Sequence, residues 1–258
     1  MESPGVSTDQ ADVSVAVTEL TGPESTSRDH LHVVTFGEAM IRLTPPRNER
    51  LERTISLDVT IGGAELNTAI GLQCLGIKSS WVSALPDNGP GRMIARAARA
   101  NGVDTSGIHW VNEDEGRAGL YFLEEGVDPR PSAVTYDRKS TAIANVHSGS
   151  FDWKQLLAGA SAFHLSGITL AVSATARSEA MEAVRVANAL GVPVSFDLNY
   201  RSKLWGEADA REAFVAIISK VDILFASRGG LHTFSASKAR TRKYCEPRST
   251  SSVWRRRR

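Results

Sequence analysis

The sequence predicts an α/β fold: a mainly parallel sheet with helices on both faces and a small β lid standing off it. Three observations predict it. Short β-branched, apolar runs recur from His32 onward, and between them lie segments with apolar residues at i, i+3, i+4 and i+7. Two regions break that alternation with strand-like pieces that carry no helical stripe. Strands alternating with helices make βα units, whose sheet is parallel and buried on both faces.

Taken in order, residues 1–30 are rich in Ser, Thr, Glu, Asp, Pro and Gly, lack periodicity and read as a disordered leader. The first buried strand is His32–Phe36. Leu66, Ala69, Ile70, Gln73 and Cys74 form a helical stripe, in which Cys74 reads as a small core residue. A second strand, Ser80–Leu85, leads to a helix over Gly91–Asn101 that Asp87 is placed to cap. After a third strand, Ala162–Ser166, the stripe Ala180, Ala183, Val184 and Ala187 turns Glu182 and Arg185 outward. Gly191–Val192–Pro193 stops that helix and starts the fourth strand, Val192–Phe196. A third stripe, Ala210, Ala213, Phe214, Ile217 and Ile218, precedes the fifth strand, Val221–Phe225. The α/β domain so defined runs over 31–234. The lid is assigned to segments of about 45–61 and 106–140, with strand pieces at Leu120–Leu123 and Ala133–Tyr136; the alternative is plain surface hairpins.

Composition narrows the function classes. With 258 residues, 41% hydrophobic and 23% charged, and a net charge of +1, the chain gives no general argument for a membrane or nucleic-acid partner. No apolar run approaches the roughly 18–20 residues that span a bilayer, and no basic stretch followed by an apolar one marks a secretory signal. Cys74 and Cys245 stand far apart, which points to a reduced cytoplasm rather than a disulfide scaffold. His30 and His32 lack a third ligand nearby, so no metal site is predicted from them.

Ligands of open parallel sheets bind beyond the carboxyl ends of the strands, which directs attention to Gly37–Glu38, Pro86–Asp87–Asn88, Ser166–Gly167, Asp197–Arg201 and Ser227–Arg228. Asp197, Asn199 and Arg201 alternate, so in an extended segment their side chains face one way. Together they suit an anionic ligand, Arg201 making paired hydrogen bonds to carboxylate or phosphate; a structural salt bridge between Asp197 and Arg201 is the competing account. Gly62–Gly63 before a helix lets a ligand approach the backbone, with Asn67 one turn in. In the lid region, Gly119–Leu120–Tyr121 and Tyr136–Asp137–Arg138 supply phenols and an arginine that fit a polyhydroxylated acid, or else decorate a hairpin. Neither a G-x-G-x-x-G fingerprint nor a P-loop is present.

These residues resemble a family. The run Gly62-Gly63-Ala64-Glu65-Leu66-Asn67-Thr68-Ala69 followed by Cys74-Leu75-Gly76 is similar to the first motif of ribokinase-like (PfkB) carbohydrate kinases. Phe163-His164-Leu165-Ser166-Gly167-Ile168-Thr169-Leu170, Asp197-Leu198-Asn199-Tyr200-Arg201 with Leu204-Trp205, and the two lid segments resemble 2-keto-3-deoxygluconate kinases in particular. The resemblance covers roughly Val33 to Phe234. It implies a ribokinase-like fold and transfer of the γ-phosphoryl of MgATP to a primary hydroxyl of a sugar acid, giving the 6-phosphate, with ATP and Mg2+ as cofactors. It further implies that Gly63 and Asn67 contact substrate hydroxyls, that Tyr121, Tyr136 and Arg138 reach down from the lid, that Arg201 holds the acid, and that Asn199 and Arg201 lie near the ATP phosphates. Pairing of subunits through the lid is implied in the same way. A fructokinase or another sugar kinase is the alternative within the family, and a non-catalytic sugar-binding remnant the alternative outside it.

The sequence also departs from the pattern. Such kinases carry a Gly-Ala-Gly-Asp run late in the chain, whose aspartate takes the proton from the attacking hydroxyl; no such run occurs here. After Phe234 the βα pattern gives way to SASKARTRKYCEPRSTSSVWRRRR. The expectation is that C-terminal units are missing through a frameshift or mispredicted exon end, that 235–258 is a disordered basic tail, and that the chain is impaired in ATP binding, stability and turnover. The other reading is a genuine basic tail for nucleic acid or an acidic partner. Asp87 is weighed as a substitute base, no metal ligand is assigned, and Ser227-Arg228-Gly229-Gly230 replaces the asparagine and glutamate that many relatives place near the metal.

Overall fold

The computed structural model describes residues 30–227, 229–230 and the strand 251–255. The elements run β1 His32–Phe36, β2 Met40–Thr44, β3 Asp58–Gly62, α1 Ala64–Cys74, β4 Lys78–Pro86, α2 Gly89–Ala100, β5 Ile108–Val111, β6 Gly119–Glu124, β7 Ala133–Asp137, α3 Trp153–Leu156, β8 Ala162–Ser166, α4 Gly167–Val172, α5 Ala174–Leu190, β9 Val194–Asp197, α6 Glu207–Ile218, β10 Ile223–Ser227 and β11 Ser251–Arg255. The expected leader up to residue 29, Arg228, Cys245 and the rest of the expected tail lie outside the described residues.

The main sheet has the order β11-β10-β9-β8-β1-β4-β5. From β10 to β5 every pairing is parallel. Alternation along each strand divides the core between the two faces. On β4, Trp81 and Leu85 pack with Leu66 and Ala69 of α1 and with Ile94, Ala95 and Ala98 of α2. Val82 and Ala84 instead join Phe36, Phe163 and Phe196 against α5 and α6. There Phe36 meets Phe151 and Trp153 edge-on at 5.3 and 4.9 Å. Each such side chain, fully buried, stabilises the fold by about 1.5–3 kcal/mol.

The helical stripes behave unevenly. On α5, Ala180, Ala183, Val184 and Ala187 are all buried, and Arg185 pairs outward with Glu182 at 2.6 Å. Ser173 caps its start and Gly191, at φ +73°, ends it in the left-handed conformation. On α6 the stripe is buried except for Ile218, 40% exposed at its edge. On α1 the expectation for Cys74 is corrected: it is exposed. At 100° per residue Cys74 lies about 130° from the centre of the buried Glu65–Leu66–Ala69 face, so it leaves the stripe.

Strand limits shift where side chains intervene. The fourth and fifth strands begin two residues later than expected, because Pro193 lacks a backbone donor and Asp222 turns its carboxylate to the N–H of Val194, 3.0 Å away. The lid is a four-stranded sheet of order β3-β2-β6-β7. Met40–Thr44 belongs to it although the sequence places the lid's first segment after residue 44. Ile108–Val111 leaves it, pairing parallel with β4 in the main sheet. Within the stretch expected to be disordered, Ser251–Arg255 forms β11, antiparallel to β10. The outer edge of β10 carries unpaired backbone donors and acceptors that such a strand satisfies.

Candidate active site

A cleft of about 800 Å³ opens between the lid and the carboxyl ends of the main strands. Gly63, Asn67, Tyr121, Tyr136, Arg138 and Arg201, separated along the chain, all line it, as does Asn199. A smaller cleft of about 510 Å³ adjoins it, sharing Asp197, Asn199, Tyr200 and Arg201 and adding Glu207, Ser227, Gly229 and Gly230.

The cleft floor is the turn into α1. Gly63 has φ −173°, extended and open to any residue, so what it supplies is space: a Cβ there would lie 2.4 Å from the carbonyl oxygen of Glu38. At Gly62 a Cβ would meet the hydroxyl of Tyr121 at 2.4 Å. The turn is held from behind by Glu65, fully buried in the first turn of α1. Its Oε1 accepts from the N–H of Ser166 at 3.0 Å, from the Ser166 hydroxyl at 2.7 Å and from the Thr169 hydroxyl at 2.7 Å. Burial pushes the Glu65 pKa up against these hydrogen bonds.

The roof is aromatic and cationic. Tyr121 and Tyr136 face each other across the β6–β7 pair with ring centroids 5.9 Å apart. Burial raises the Tyr121 phenol, opposed by Arg42, which keeps it a neutral donor and acceptor. Arg138 lies 5.7 Å over the Tyr136 ring and donates an Nη2 hydrogen bond to Glu38, whose other oxygen accepts from Thr141 at 2.7 Å. The guanidinium that the resemblance places over the ligand is thus paired with a carboxylate.

At the fourth strand end, the expected reason for convergence is corrected. The strand stops at Asp197, and Asn199 takes φ +34°, so the three side chains do not share the face of an extended segment. The loop curls instead and brings them to the same cleft. Among the described residues no ion pair joins Asp197 to Arg201. Asp197 is pushed up by burial, opposed by the Asn199 N–H at 3.1 Å and by the charge of Arg201.

Two expectations for Asp87 fail. It points outward to pair with Arg92 at 2.8 Å and lines neither cleft, so it is not placed to act as a base. The helix cap is Asn88, whose Oδ1 accepts from Gly91 N–H at 3.1 Å; it stands three residues before that donor, as cap geometry requires. Both Glu38, which the sequence marks only as a strand end with no role, and Lys203, which it does not mark, lie in the cleft lining. An acid directly after a buried strand was the available signal for Glu38. Among the described residues no group of three or more His, Cys, Asp or Glu is arranged for a metal ion, and no helix is long and apolar enough to cross a membrane.

The family profile described as "pfkB family carbohydrate kinase" matches residues 30–247. The chain is 42% identical over 195 residues to the 2-dehydro-3-deoxygalactonokinase of Haloferax volcanii, covering 76% of this chain and 60% of that protein. It is 30% identical over 198 residues to the 5-dehydro-2-deoxygluconokinase of Bacillus subtilis, with the same coverages. The crystal structure of a 2-dehydro-3-deoxygluconokinase from Thermotoga maritima superposes with a TM-score of 0.76 at 42% identity, covering 79% of this chain and 62% of that one. The chain thus spans about 60% of the length of the curated relatives it matches.

Proposed function

Because the chain belongs to the pfkB family of carbohydrate kinases, we propose that its lidded cleft binds a 2-keto-3-deoxy sugar acid as the acceptor of a phosphoryl group from MgATP. The observation that carries this reading is that two arginines, Arg138 and Arg201, line one cleft together with two phenols. A carboxylate-bearing sugar calls for guanidinium groups, whose N–H forks match a carboxylate; a neutral sugar does not. In this reading Gly63 and Asn67 meet the hydroxyls, Tyr121 and Tyr136 cover the sugar face, and Arg201 takes the carboxylate with Arg138.

The donor set of the adjoining cleft suits a phosphate chain, with the amide of Asn199, the guanidinium of Arg201 and the hydroxyl of Ser227 lining it. ATP, when bound, would supply the phosphoryl group, and Mg2+ would neutralise phosphate charge there. No base is assigned among the residues of this chain, which contain no Gly-Ala-Gly-Asp run, so our reading gives them sugar binding, in a cytoplasmic protein, and places no proton-abstraction step on them. A second reading, a neutral sugar such as fructose, is favoured by the neutralisation of Arg138 by Glu38. Calorimetric binding of 2-keto-3-deoxygluconate, fructose and ribose, with ADP release measured in the same samples, tests the proposal. Tightest binding of the acid is expected. Tighter binding of fructose sinks it.

A further inference from the structure

Glu38 and Arg138 are 100 positions apart in the chain and meet at the wall of the cleft. Their side chains are 3% and 10% exposed. A carboxylate so buried has almost no water to satisfy it and depends on its partners. Both of its oxygens are engaged, Oε1 by the Thr141 hydroxyl and Oε2 by Arg138. Its backbone is anchored too, since it follows Gly37, whose N–H donates to Val82 at 3.2 Å.

We propose that Glu38 is a positioning residue: it fixes the direction in which Arg138 presents its guanidinium to the cleft, and thereby sets the preference for a sugar acid over a neutral sugar. The proposal rests on the sugar-acid reading above. An unrestrained arginine samples many rotamers, and ordering it on binding costs conformational entropy. Arg138 is ordered beforehand, gripped by Glu38 on one edge and lying on the Tyr136 ring. A guanidinium has five N–H donors; Glu38 Oε2 accepts from Nη2, and other donors remain for a ligand.

Charge and position make opposite demands here, which makes the idea testable. If only charge mattered, Glu38 would weaken acid binding by cancelling Arg138, and Glu38→Gln would strengthen it. If position governs, Glu38→Gln releases the arginine and acid binding weakens, although the local charge has become more positive.

The experiment combines calorimetric binding of 2-keto-3-deoxygluconate and fructose with nitrogen-15 NMR of arginine side chains, on the full chain. The variants are wild type, Glu38→Gln and Thr141→Val, the Arg138 signal being assigned by its loss in Arg138→Lys. Slow guanidinium rotation is expected in wild type, fast rotation in Glu38→Gln, and an acid-to-fructose affinity ratio about tenfold lower in that variant, the loss of one charge-assisted hydrogen bond. Thr141→Val keeps the ion pair and gives an intermediate ratio, so the trend remains readable if Glu38→Gln folds poorly. Equal rotation in wild type and Glu38→Gln, or an unchanged or higher ratio, overturns the proposal. Should wild type bind fructose as tightly as the acid, the sugar-acid reading fails, and with it the role in preference; the rotation rates still decide whether Glu38 holds Arg138.

Discussion

Lys203, in the loop that follows β9, donates from Nζ to the carbonyl oxygen of Val134 in the lid strand β7, 2.8 Å away. Both residues line the cleft, so the bond ties the loop carrying Asn199 and Arg201 to the roof over them. We expect Lys203→Met to speed amide hydrogen exchange across Ala133–Asp137 and to weaken sugar binding, with stability changed by no more than about 0.5 kcal/mol, as for exposed sites generally. Unchanged exchange in β7 would show that the lid is held by its own sheet alone.

Gly63→Ala tests the packing of the cleft floor. A Cβ 2.4 Å from a backbone oxygen cannot be absorbed by a flexible side chain. The floor must shift, at a cost of about 1–3 kcal/mol. Thermal melting with sugar-binding calorimetry reads it: both stability and affinity fall. A variant as stable as wild type would place this turn among the yielding parts of the molecule.

Adjacent residues at the start of α2 separate a cap from a surface charge. Asn88→Ala removes the acceptor for the Gly91 N–H and lowers stability by about 1 kcal/mol. Asp87→Asn loses only an exposed pair with Arg92, worth at most about 0.5 kcal/mol, and leaves any turnover untouched. Loss of turnover in Asp87→Asn would restore that residue as a candidate base.

Two buried groups make stability respond to pH in opposite directions. Burial lowers His164 to about 4, its ring meeting the hydroxyl of Ser195 at 3.0 Å. The unfolded chain therefore binds the extra proton first, and stability falls as pH drops from about 6.5 towards 4, by up to about 3 kcal/mol. Glu65 is raised, so its folded form holds a proton longer than the unfolded one does. Its contribution is fully present below the ordinary carboxyl range and declines as pH rises through the raised value. Urea unfolding across pH checks both: His164→Gln flattens the acid side of the profile, and Glu65→Gln flattens the decline on the rising side. Profiles identical to wild type would remove these two groups from the account.

Much of this architecture was legible because it depends on local pattern. His32–Phe36, with its β-branched run, and Ala162–Ser166, with its alternating Phe163 and Leu165, appear at their expected limits. The strand-end rule pointed to the loop after Asp197, which lines the cleft. What could not be read was set by distant partners or by a single dihedral angle. The pairing of Glu38 with Arg138 joins segments 100 positions apart. The left-handed turn at Asn199 replaces the alternation that would have aligned Asp197 and Arg201. Cys74 failed on phase, because an apolar residue near a stripe is not in it unless the 3.6-residue period returns it there.

The lid is woven through the chain rather than appended to it. Between its parallel neighbours β2 and β6 lie β3, α1, β4, α2 and β5, and Met40 pairs with Gly119. Closing so long a loop is entropically costly, whereas the main sheet's β1–β4 pairing, His32 with Lys78, closes a shorter one. We therefore expect the lid to be the last part to assemble and the first to come apart. Under mild denaturant the protein would lose its hold on a ligand at concentrations that leave the parallel sheet intact, so that loss of binding reports sub-global opening rather than unfolding.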